Sequence, residues 1–237
     1  MKNIEKIKEN VALALKKNFP QTSQSISADN LVLIHEGRFA NAAVLRYKDD
    51  RLDLTVKDFS GSPFWIRRVF GVFSTRTEYT AKKALAQATG DHGVLQRLSP
   101  WSIAFDYVRG DTLNKVPCNV PADYFIKMEQ IVSKLHECGF VHLDLRNLGN
   151  MILGDDGKPY IIDFQSCLST KHMPRFIRKY LEKVDFSGIY KAWERKCPQA
   201  LDEGRKSVLS YVNAIRKFWV FKGYPLDHFL EKRKMKH

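Results

Sequence analysis

Met151-Ile152-Leu153 and Tyr160-Ile161-Ile162 flank the turn Gly154-Asp155-Asp156-Gly157, and each run abuts a polar residue. Asn150 stands directly before the first, and Asp163 directly after the second. Two short apolar runs split by a Gly- and Asp-rich turn read as a β-hairpin with an amide at its start and a carboxylate at its end. An isolated Asp-Phe carries little information, because Asp58-Phe59 and Asp185-Phe186 occur here too. The preceding apolar run and the distance from Asn150 set Asp163-Phe164 apart. Upstream, Val141-His142-Leu143-Asp144-Leu145-Arg146 adds a second carboxylate and a cation.

A chain of 237 residues allows one large domain or a tightly joined pair of lobes. With 44% hydrophobic and 27% charged residues it can bury a core, which excludes disordered and fibrous classes. No run approaches the roughly 20 apolar residues that span a bilayer. Met1-Lys2-Asn3-Ile4-Glu5-Lys6 mixes both charges without the apolar stretch of a signal peptide, so a cytoplasmic location is expected. Cys118, Cys138, Cys167 and Cys197 show no paired spacing, which argues for reduced thiols rather than a zinc knuckle or disulfide framework.

Ile4, Ile7, Val11, Ala14 and Leu15 have amphipathic spacing and predict an N-terminal helical extension within residues 1–29, ending near Asn18-Phe19-Pro20. From residue 30 the pattern turns to short β-rich runs at Leu31–Ile34, Ala43–Tyr47 and Leu52–Lys57, the last two joined by the turn Lys48-Asp49-Asp50-Arg51. An Ala- and Lys-rich helix is predicted over Thr77–Thr89, then a strand pair ending in Ser102–Val108. Five strands with one inserted helix make a small α+β lobe over residues 30–108. Residues 109–237 turn helical: Pro121–Gly139 is one helix, and from Met173 several helices are expected, broken at Pro198, Gly204 and Gly223.

In this order and spacing, the pieces resemble the protein kinase-like superfamily over roughly residues 31–168. The resemblance implies an α+β, two-lobed kinase-like fold, with a five-stranded N-lobe and a compact, mostly helical C-lobe without a long activation segment. It implies ATP and Mg²⁺ as ligands. Asp144 then takes the proton of an incoming hydroxyl, and Asn150 and Asp163 hold the metal. Arg146 neutralises the transferring phosphoryl group, and His142 is structural. Val56-Lys57 matches the strand lysine that meets the ATP phosphates, Glu78 the helix carboxylate that holds it, and Gly37 and Phe39 the nucleotide-covering loop. Asp106 and Val108, in Phe105-Asp106-Tyr107-Val108, offer backbone groups to the adenine edge. Lys57, Glu78, Asp144 and Asp163 are thus expected to converge in the crevice between the lobes. Read without the resemblance, Lys82 is a simple intrahelical partner for Glu78.

The chain also departs from that pattern. Gly37 stands alone where the family has three glycines, so weaker ATP binding is expected. Asp144 and Asn150 are six positions apart instead of five, leaving Asn147 as a rival metal ligand. Gln165 replaces the glycine after Asp-Phe, and Leu143 replaces the arginine that grips a phosphorylated activation loop. Together these features are similar to the compact lipopolysaccharide kinases of bacteria, which phosphorylate Kdo or heptose of the inner core, and to RIO-type atypical kinases. The first likeness implies a sugar or glycolipid acceptor, the second a protein or ribonucleoprotein substrate. A catalytically silent binding module is the third reading, and retention of the four converging residues argues against it.

The net charge of +13 is uneven: residues 171–237 carry 17 basic against 7 acidic side chains. Such a face suits an anionic membrane surface at the inner side of the inner membrane. It suits nucleic acid equally, because charge does not distinguish lipid from RNA phosphates.

Overall fold

The computed structural model describes residues 4–37 and 42–218. Phe39, expected to cover the nucleotide, lies outside the described residues, as do Gly223 and the basic run Lys232-Arg233-Lys234 with Lys236. In α1 (Ile4–Asn18), Ile7, Val11, Ala12 and Leu15 form one buried stripe. That stripe packs on a five-stranded antiparallel sheet of β1 (Leu31–His35), β2 (Ala43–Lys48), β3 (Asp53–Asp58), β4 (Leu95–Ser99) and β5 (Ser102–Asp106), ordered β1-β2-β3-β5-β4. Strand alternation decides which side chains go where. Leu54 and Val56 join Leu45 and Tyr47 beneath α1, so Thr55 and Lys57 face the opposite side. The β2–β3 turn closes where the sequence places it, with Asp49 Oδ1 accepting from the Arg51 and Leu52 amides at 2.8 and 2.7 Å.

The inserted helix begins earlier than its Ala- and Lys-rich stretch indicates. α2 (Phe64–Ile66), a π-helical turn (Arg67–Gly71) and α3 (Val72–Thr89) run on from one another, starting thirteen residues ahead of Thr77. The early part escapes a reading by hydrophobic period because its large apolar side chains point outward. The helix stops at Gly90, whose φ of 71° is one that glycine adopts without strain.

β6 (Gly110–Thr112) opens the second lobe. It is followed by α4 (Ala122–Glu137), β7 (Phe140–Val141), β8 (Met151–Gly154), β9 (Pro159–Ile161), β10 (Leu168–Ser169), α5 (Arg175–Lys196) and α6 (Glu203–Phe218). β8 and β9 are the expected hairpin, and β6 pairs with β8 to make a three-stranded sheet. The core gathers Tyr124, Phe125, Met128, Val132 and Leu135 of α4, with Phe125 stacked on Trp193 of α5 at 5.3 Å. Gly204 does not break a helix. It lies in the first turn of α6, because Asp202 Oδ1 accepts the Arg205 amide at 3.0 Å and so starts the helix ahead of it. Ala81 of α3 belongs to this second core, with Ala84 and Leu85 packed beside it. The helix inserted in the first lobe therefore rests on the second.

Because the α1 stripe is part of the first lobe's core, Leu15→Ala should lower unfolding free energy by about 2–4 kcal/mol in urea titration. Leu13→Ala, at a 65% exposed position on the same helix, should change it by less than about 0.5 kcal/mol.

Candidate active site

Lys57 points off the sheet toward α3, where Thr75, Glu78 and Ala81 form the inward face. Its ammonium lies 3.0 and 2.9 Å from the two Glu78 carboxylate oxygens and 2.7 Å from Asp163 Oδ1. Glu78 is 1% exposed at its side chain. Burial alone would push the Lys57 ammonium down, but the two carboxylates outweigh it and hold it above the ordinary lysine value. The structure thus joins β3, α3 and the end of the β8–β9 hairpin through one cation.

Asp163 adopts φ 65°, ψ 62°, a left-handed conformation uncommon for a residue with a side chain. Gln165 Nε2 donates to its second oxygen at 3.3 Å. Asn150, 4% exposed, donates through Nδ2 to Asp144 Oδ2 at 2.7 Å and to the Asp144 carbonyl at 3.1 Å. The Asn150 carbonyl in turn accepts from the Ile162 amide at 3.0 Å. Asn147 is exposed, and its Oδ1 caps the Gly149 amide of a short helical turn. Asn147 reaches Asp144 only through its backbone amide, at 3.3 Å from the Asp144 carbonyl, so Asn150 is the asparagine whose side chain meets the Asp144 carboxylate.

Asp163 Oδ2 and Asn150 Oδ1 have only long partners, at 3.3 and 3.5 Å. A carboxylate and an amide oxygen suit Mg²⁺, which takes one or two protein oxygens and completes its shell with water and phosphate. No cluster of three or more His, Cys, Asp or Glu side chains is found among the described residues.

The residue that holds the loop was missed in the sequence. Asp185, in the middle of α5 and 1% exposed, accepts the His142 amide (2.7 Å), the Leu143 amide (2.7 Å) and His136 Nε2 (3.0 Å). Leu143 has φ 65°, and the Asp185 bonds hold it there. One turn on, a Cβ at Gly188 would lie 2.5 Å from the Leu145 carbonyl carbon, so only glycine lets the loop sit against the helix. An Asp followed three residues later by Gly in a helical stretch, as in Asp185-Phe186-Ser187-Gly188, was the available signal. His142 is fully buried, with Nε2 3.2 Å from the Ile162 carbonyl, and burial lowers its pKa.

Arg146 is two residues from Asp144, but its guanidinium donates to Ser187 Oγ and Asn213 Oδ1, both at 2.9 Å. Lys191 Nζ donates to the Arg146 carbonyl at 3.1 Å. Burial lowers the pKa of both cations, and the Arg195 and Arg216 charges lower them further. None of these four cations has a carboxylate partner among the described residues.

At the lobe connection, the Asp106 amide donates to the Val94 carbonyl at 3.2 Å, and its carboxylate accepts the Val94 amide at 2.8 Å. Val108 follows outside any strand. Gly37 follows β1, immediately before residues 38–41, which lie outside the described residues. Lys82 does not pair with Glu78. Its ammonium lies 4.0 Å from the Phe105 ring centroid and 4.7 Å from that of Phe164, beside a cavity of about 680 Å³ lined also by Leu85, Tyr107 and Tyr160. Burial pushes Lys82 down to about 8.

No protein-family model and no curated protein matches this sequence. Among solved structures, the chain is similar to the crystal structure of the Rio2 kinase from Chaetomium thermophilum, with TM-score 0.50 and 15% identity over 74% of this chain and 61% of that one. It is also similar to the Rio2 kinase-ADP/Mg²⁺-phosphoaspartate complex from the same organism, with TM-score 0.53 and 16% identity over 84% and 65%. The chain spans less than two thirds of the length of either protein. The fold is therefore a two-lobed, kinase-like α+β fold, shared with these two Rio2 kinase structures.

Asp185→Ala would leave the buried His142 amide and the part-buried Leu143 amide without an acceptor and should cost about 3–5 kcal/mol in denaturant unfolding. Lys82→Met removes a buried ammonium and should raise stability at pH 7 by about 1–2 kcal/mol. The folded-state pKa of Lys82 lies below its unfolded value, so the native protein sheds the proton first as pH rises. The gain from Lys82→Met should therefore shrink between pH 8 and about 10.5, measured by thermal unfolding across that range.

Proposed function

We propose that the chain is an ATP-dependent phosphotransferase that moves the γ-phosphoryl group to a hydroxyl of a lipopolysaccharide inner-core sugar, Kdo or heptose. The observation that carries this reading is the Lys57–Glu78–Asp163 triad, formed from both lobes next to the Asp144–Asn150 pair. A buried ion triad adds little to stability compared with apolar packing of the same volume, so its presence favours a functional role. Lys57 would hold the nucleotide phosphates, and the backbone at Asp106 and Val108 the adenine edge. Gly37 and Phe39 would cover the nucleotide. Asn150 and Asp163 would hold Mg²⁺, which when bound neutralises charge on the phosphates. Asp144, oriented by the Asn150 amide, would accept the proton of the attacking hydroxyl.

The acceptor reading draws on the four cations without carboxylate partners. Arg146, Lys191, Arg195 and Arg216 surround the far side of the Asp144 loop and favour an acceptor that itself carries carboxylate or phosphate. Acidic inner-core sugars have that chemistry. A cytoplasmic enzyme working at the inner face of the inner membrane follows from such an acceptor. A second reading is a RIO-like protein kinase or ATPase acting on a protein or ribonucleoprotein. The likeness to a complex containing phosphoaspartate favours it.

Asp144→Ala and Asp163→Ala should each reduce phosphate transfer by roughly 10²-fold or more. Transfer is read by mass spectrometry of lipid A–core fragments as a single phosphate difference. Turnover that persists with both residues replaced refutes the assigned chemistry. A hydroxylamine-labile phosphate on the protein itself, with core fragments unchanged, selects the second reading.

A further inference from the structure

The outward face of α2, the π-helical turn and the start of α3 gathers five exposed large apolar side chains within ten residues. Phe64, Trp65, Val69, Phe70 and Phe73 are 56%, 76%, 58%, 58% and 66% exposed. Together they present on the order of 600 Å² of apolar surface, as much as the largest patch on most monomeric proteins. The helix cannot roll to hide them. A Cβ at Gly71 on the opposite side would already meet Phe59 at 3.0 Å and Trp101 at 3.3 Å, and Thr75 and Glu78 continue that buried face into the site.

Charge identifies what covers this face. From Phe59 to Thr77 the sequence has three arginines, Arg67, Arg68 and Arg76, and no acidic residue. Arg67 is drawn over the rings of Trp101 (4.9 Å) and Phe64 (5.9 Å). Arg68 and Arg76 are exposed and make no ion pair among the described residues. A second copy of this chain, at +13, would bring like charge to these arginines. Aromatic side chains flanked by arginines without acids match the boundary of an anionic bilayer, where rings enter the headgroup region and guanidiniums remain with the phosphates.

We propose that residues 64–76 form a membrane-docking face that inserts into the interface of an anionic lipid bilayer. Because the same helical segment continues to Glu78, docking would set the first lobe at a fixed orientation to the lipid surface. This inference does not rest on the catalytic reading, since lipid binding requires neither nucleotide nor acceptor.

The test is flotation of the full chain with vesicles of phosphatidylcholine alone and of phosphatidylcholine mixed with phosphatidylglycerol. Binding should favour the mixed vesicles, and combined Trp65→Ser, Phe70→Ser and Phe73→Ser should lower the partition coefficient roughly tenfold or more. Arg68→Gln with Arg76→Gln should remove most of the preference for the anionic vesicles. Wild-type binding by the triple variant overturns the proposal. So does binding that vanishes at high salt, which marks adsorption by charge alone. A wild-type dimer that the triple variant disperses, with no binding to either vesicle, also overturns it and assigns the face to self-association. Should the triple variant fail to fold, quenching by brominated acyl chains reads insertion directly. Trp65→Phe, still bound, should lose that quenching, and unchanged quenching refutes insertion at this face.

Discussion

One ammonium group holds the two lobes in register. Lys57 leaves the sheet of the first lobe and is gripped by Glu78 from the inserted helix and by Asp163 from the hairpin of the second. Placing two carboxylates on one cation in a largely dry site is costly unless geometry is good, and losing any one partner leaves an uncompensated charge. The positions of β3, α3 and the β8–β9 hairpin are thereby coupled. The left-handed conformation of Asp163 persists because the surrounding bonds over-determine it.

A second anchor works from below. Asp185 holds two consecutive backbone amides of the Asp144 loop, and Gly188 lets the loop approach the helix closely. Above the loop, Asn150 ties Asp144 to the hairpin through side chain and backbone alike. The candidate base is therefore set by a helix on one side and a strand on the other. The cations around Arg146 sit on that same helix and on α6, so positive charge gathers beneath the loop.

Much of this was legible in the sequence because it depends on local pattern. The β2–β3 turn, the β8–β9 hairpin and the stripe of α1 follow from period and turn chemistry, and each lies where the pattern places it. The 64–76 stretch was not legible as helix. Its apolar residues face outward, and the amphipathic pattern used to recognise helices assumes the reverse. Gly204 looked like a break because glycine is a weak helix former, but the Asp202 cap outweighs its preference.

The sequence by itself determined the alternation that sends Lys57 to one face of the sheet, the hairpin that places Asn150 and Asp163 at its ends, and the excess of positive charge. These are short-range consequences of strand pleat, turn residues and composition. Only the tertiary structure decided that Glu78 turns to Lys57 while Lys82 lies between two aromatic rings, that Asn150 and not Asn147 meets Asp144, and that Arg146 is directed to α5 and α6. Each of those outcomes was a choice among partners within reach of one flexible side chain. Such choices are settled by which groups are buried together, and burial depends on segments distant in the chain.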